Sequence, residues 1–170
     1  MESDRMGYLL PALTRERFET QRGVVLNERR QNYENRPYGM ALMALSAALF
    51  PPDHPYRWLT IGDADDLRAM EFEDVRSFFR TYYHPANASL ALAGDIETER
   101  GFELAEAYFG EIPAGAKPSS VHAEASVARE VRLVLEDRVE LPRVYMAWHS
   151  PAMFAEGDAE ADLLADLLAN

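Results

Sequence analysis

From Thr14 to Asn35 the apolar positions are sparse and helically spaced. Thr14 can cap a helix continuing through Glu16, Phe18, Gln21, Val25, Glu28 and Asn32, and Pro37 disfavours its extension. The next segment, Tyr38 to Phe50, is apolar on nearly every side, which predicts an interior helix; Pro51-Pro52-Asp53-His54-Pro55 stops it. Asp63 to Leu67 has the form of a capped helical turn. Glu71 to Tyr83 places Phe72, Val75, Phe78, Phe79 and Tyr82 at helical spacing, the pattern of an amphipathic helix. Asn87 to Gly94 is a short apolar run of strand type. After the Gly94-Asp95 turn, Phe102, Leu104, Ala105 and Tyr108 mark one side of a helix over Glu97 to Phe109.

The pattern changes after Ile112. Pro113-Ala-Gly-Ala-Lys-Pro-Ser-Ser120 and the small residues after it have the composition of an exposed linker, so a domain boundary is expected there. Residues 1–113 then form one unit, 114–128 the linker and 129–170 the opening of a second unit. In that second unit Arg129 to Leu135 alternates as a strand and Arg143 to His149 has the same character. Asp158 to Leu168 is predicted as a helix with Leu163, Leu164, Leu167 and Leu168 inward.

Composition narrows the chemistry. A content of 48% hydrophobic and 27% charged residues is that of a folding globular chain, and 170 residues allow one domain or two partial ones. The net charge of −12 repels phosphate backbones, which argues against a nucleic acid partner. Met40 to Phe50, the longest strongly apolar run, is too short to span a bilayer, so no membrane insertion is expected. With no cysteine, any metal must be held by His, Asp or Glu. His54, His84, His122 and His149 are too far apart in sequence to pair on one helical face, and neither H-x-x-E-H nor H-E-x-x-H occurs. Asn87-Ala-Ser89 matches a glycosylation acceptor but opens an apolar run, which favours a chance match.

Taken in order, Phe18-Glu-Thr-Gln-Arg-Gly-Val-Val-Leu-Asn-Glu28, the Tyr38 to Phe50 segment, Pro55-Tyr-Arg-Trp-Leu-Thr-Ile-Gly62, Phe78-Phe-Arg-Thr-Tyr-Tyr-His-Pro-Ala-Asn87, Ala91-Leu-Ala-Gly-Asp95, Tyr108-Phe-Gly-Glu-Ile-Pro113 and Leu141-Pro-Arg-Val-Tyr-Met-Ala-Trp-His-Ser-Pro151 resemble the M16 peptidases. That family includes pitrilysin, insulin-degrading enzyme and the mitochondrial processing peptidase. The resemblance implies an α+β fold, with helices packed on an antiparallel or mixed β-sheet and incomplete at both ends. It also makes residues 1–113 the later part of a first, catalytic domain and residues 129–170 the start of a second, similar one.

In the family an H-x-x-E-H helix supplies two zinc histidines and the general base, and a downstream glutamate supplies the third ligand. The resemblance gives that ligand role to Glu28. Gln21, two turns earlier where relatives often carry an acid, becomes a supporting residue able to hold a ligand by a hydrogen bond. It thus implies Zn²⁺ and peptide substrates in the intact parent, with no catalytic residue and no activity in this chain alone. The alternative is a non-catalytic scaffold or partner subunit of a peptidase pair, which the family also contains.

Expected partners are the remaining M16 segments or a second M16-like chain. A homo-oligomer through exposed sheet edges is a further expectation. The compartment is left unknown between bacterial periplasm and cytoplasm, with the periplasm favoured by analogy only. Asp162 and Asp166 are read as a solvated helix face rather than a cation site. His54, His84 and His149 are read as turn or strand-end residues, and the Phe72, Phe78, Phe79, Tyr82 and Tyr83 set as core.

Overall fold

The computed structural model describes residues 1–169. Among the described residues seven α-helices run in order: α1 Glu2–Ala12, α2 Arg15–Arg29, α3 Ala41–Leu49, α4 Ala64–Ala69, α5 Phe72–Tyr82, α6 Thr98–Phe109 and α7 Asp158–Ala169. A π-helical turn, Arg30–Glu34, continues α2, and 3₁₀ turns occupy Pro55–Arg57 and Pro85–Asn87.

The caps explain several boundaries. Thr14 Oγ1 accepts from the Arg17 N–H at 3.2 Å ahead of α2. Asp63 Oδ1 accepts from the Asp65 N–H at 2.8 Å at the start of α4. Asp74 Oδ2 accepts from the Glu71 N–H at 2.7 Å, closing the first turn of α5. Prolines then fix the 3₁₀ turns at their first positions.

The expected β-sheet is not formed. Among the described residues there is no strand, and the segments 88–93, 129–135 and 143–149 have neither helix nor ladder. Alternating apolar residues show only that a segment could sit on a half-buried sheet; a strand exists when its N–H and C=O groups pair with a neighbour. These segments find no such neighbour among the described residues, and the α+β expectation gives way to an all-helical arrangement.

The chain divides into two compact units, each made of two stretches of sequence. The first comprises Met1–Glu28 and Asp63–His122, and the second Arg29–Gly62 and the chain from Ala123 onward. The core of the first unit centres on Phe18, only 5% exposed, which meets the Phe72 ring of α5 at 5.9 Å between centroids. Arg22 lies over Phe18, and Arg15 and Arg76 lie over Phe72, so guanidinium faces seal the aromatic pair. Arg22 also donates to the Met70 carbonyl at 2.8 Å, stitching α2 to the end of α4.

The second unit is held by polar clasps. The Tyr38 N–H donates to Asp137 Oδ2 at 2.8 Å, its hydroxyl donates to the Leu141 carbonyl at 2.7 Å, and Arg143 stacks over its ring. Phe50 stacks on His54 and leans on His149, whose Nε2 lies 3.0 Å from the Leu49 carbonyl oxygen. The helix α3 is shorter than its apolar run and less enclosed than predicted, with no residue fully buried and Leu42 58% exposed. Tyr38, at φ +61°, stands outside it.

Candidate metal-ligand helix

Glu28 lies in the last turn of α2, one residue before the helix ends at Arg29. It is exposed, and among the described residues its carboxylate enters no hydrogen bond or ion pair. Both oxygens are therefore available to an incoming cation. Gln21, two turns earlier, is exposed as well, so α2 presents an amide and a carboxylate seven residues apart, near the same angular position.

Immediately beside Glu28, Arg29 is buried, 7% exposed. Its Nε donates to the Gly62 carbonyl at 3.2 Å, Nη1 pairs with the Glu34 carboxylate, and Nη2 lies 3.6 Å from Met43 Sδ. Nothing in the local pattern marked this arginine, because two of its partners lie 14 and 33 residues away and one is a backbone carbonyl.

The other candidates fall elsewhere. His54 is buried; its Nδ1 accepts from the Tyr56 N–H at 3.0 Å, capping the Pro55–Arg57 turn. His84 is buried with Nε2 at 3.1 Å from the Thr81 carbonyl oxygen and Nδ1 without a hydrogen bond partner. His149 packs on Phe50 as described, and Asp162 and Asp166 are exposed along α7. Of the aromatic residues expected in a core, Phe78 and Tyr82 are instead more than two-fifths exposed.

These residues are not brought together. Among the described residues no group of three or more His, Cys, Asp or Glu side chains is placed to hold a metal ion. Glu28 fits one position of a zinc site, since zinc accepts a carboxylate oxygen beside imidazoles, but one carboxylate cannot complete a tetrahedral set. Among the described residues, no helix is long and apolar enough to cross a membrane.

Residues 69–170 match the family model described as Peptidase M16 inactive domain. The chain is 30% identical over 161 residues to the zinc protease PqqE of Helicobacter pylori, covering 92% of this chain and 36% of that protein. It is 27% identical over 157 residues to the mitochondrial-processing peptidase subunit beta of Caenorhabditis elegans, covering 89% of this chain and 31% of that one. A solved structure, that of a protease from Helicobacter pylori, superimposes with a TM-score of 0.58 at 30% identity over 65% of this chain and 26% of the other. The chain thus spans about a third of the length of these two sequence relatives.

Proposed function

Because this chain belongs to the M16 peptidase family, we propose that it contributes Glu28 as a single carboxylate ligand to a zinc site of a metalloendopeptidase acting on peptides or small unfolded proteins. The observation that carries this proposal is the state of Glu28. It sits on a helix anchored on either side of it by Arg22 and Arg29, yet its own carboxylate is exposed and unengaged among the described residues. On the same helix Glu19 pairs with Arg22. Glu28 does not.

The chain's own contribution is limited and definite. Glu28 supplies one anionic oxygen donor. Gln21 supplies an amide able to orient a neighbouring ligand, and the two arginines hold the helix that carries both. Bound zinc would supply Lewis acidity and a water of lowered pKa for attack on a peptide carbonyl. The imidazole ligands and the general base come from polypeptide outside these 170 residues, either the remainder of an M16 chain or a second M16-like chain.

Reconstitution tests this. Adding a polypeptide that bears the H-x-x-E-H helix to this chain is expected to produce stoichiometric zinc binding and peptide hydrolysis that neither component has alone. A correctly assembled complex that binds no zinc counts against the proposal.

The match of residues 69–170 to the inactive domain favours a second reading, a non-catalytic scaffold or partner subunit. In that case the assembled protein would bind its partner tightly and Glu28 substitutions would leave peptide hydrolysis unchanged.

A further inference from the structure

Arg29 makes an unusual set of contacts for a residue at a helix end. Its ion pair with Glu34 spans five residues. In a regular α-helix residues i and i+5 lie roughly 140° apart around the axis, so their side chains diverge. Here α2 widens after Arg29 into a π turn, in which the Asn35 N–H donates to the Arg30 carbonyl at 2.8 Å, and the i, i+5 pair closes across it. Gly39 packs against the same turn so tightly that a Cβ would lie 2.1 Å from the Tyr33 carbonyl oxygen.

Burying a guanidinium is costly, and an apolar side chain of similar size would often stabilise a protein as well. What an apolar residue lacks is direction. The planar fork of Arg29 fixes the Gly62 carbonyl and the Glu34 carboxylate at once, and so sets both the end of the α-helix and the turn that follows.

We propose that Arg29 is a positioning residue for the Glu28 carboxylate: by tying the end of α2 to the Gly62 carbonyl and to Glu34 across the π turn, it sets the rotation of the helical turn from which Glu28 projects. This rests on Glu28 being a metal ligand. A carboxylate on a backbone held in this way loses less conformational freedom on ligation than one on a fraying helix end, so it binds metal more tightly.

The experiment uses the zinc peptidase that contains this chain, with Zn²⁺ affinity measured by chelator competition and ligand geometry by the visible spectrum of the Co²⁺ form. Glu28→Gln is the reference variant and is expected to lower Zn²⁺ affinity by more than about 100-fold, beyond the cost of an outer-shell partner. Arg29→Met and Glu34→Gln are expected to lower it by about 10-fold, change the Co²⁺ band, and reduce kcat with little change in KM. Arg29→Lys, which keeps the charge but not the fork, should fall between Arg29→Met and the parent.

Glu34 is 40% exposed, so Glu34→Gln carries the test if Arg29→Met does not fold. If Glu28→Gln abolishes zinc binding while Glu34→Gln and any folded Arg29→Met keep parental affinity and spectrum, the positioning role is wrong and the ligand role stands. Parental zinc affinity in Glu28→Gln overturns both.

Discussion

Gly115 has φ +71°, and a Cβ built there would lie 2.5 Å from the His84 ring. The Ala86 N–H donates to the Ala114 carbonyl at 3.0 Å, so this contact ties the start of the Pro113 to Ser120 stretch to Ala86 within the first unit. A side chain at this position meets both the left-handed backbone penalty and a buried ring. Gly115→Ala is expected to lower stability by about 1–3 kcal/mol, read from the denaturant midpoint, and an unchanged midpoint would contradict the contact. At this scale the helix that carries Glu28 was legible from sequence, because its cap at Thr14 is local. Arg29 and Tyr38 were not, because their functions depend on partners far along the chain, the Gly62 carbonyl and the Asp137 carboxylate.

From α2 onward the helices were the legible elements; α1, Glu2–Ala12, formed without having been expected. Their signals are contained within the segment: Thr14, Asp63 and Asp74 accept from the first N–H groups, and the apolar spacing of α5 follows the helical period. Removing one such acceptor should be measurable. Asp74→Ala is expected to destabilise the first unit by about 0.5–2 kcal/mol, with faster amide exchange confined to the first turn of α5; exchange that does not change would show the cap to be idle. Strands were not legible in the same way. The apolar alternation of Arg129 to Leu135 is a local property, whereas a ladder requires a second segment in register, and none is present among the described residues. The π turn escaped the pattern for a related reason, since one of the Arg29 contacts beside it reaches as far along the chain as Gly62.

Across the whole molecule, little apolar surface is fully enclosed. Phe18 is the one buried hydrophobic residue in the described core, while Leu163, Leu164, Leu167 and Leu168 of α7 range from 57% to 76% exposed. These leucines were expected inward, and α7 formed as predicted without covering them. Exposed apolar surface of this kind is open to association with other molecules or with copies of the same chain. The isolated chain is therefore expected to bind a hydrophobic dye and to elute above its monomer mass by size exclusion with light scattering. A compact, dye-silent monomer would show that the chain covers these residues by itself.

The most direct measurement is the Zn²⁺ affinity of this chain assembled with a polypeptide bearing the H-x-x-E-H helix, taken by chelator competition before and after Glu28→Gln. A fall of more than about 100-fold, with the fold retained, is the expected result. Parental affinity in the folded variant would remove Glu28 from the metal site.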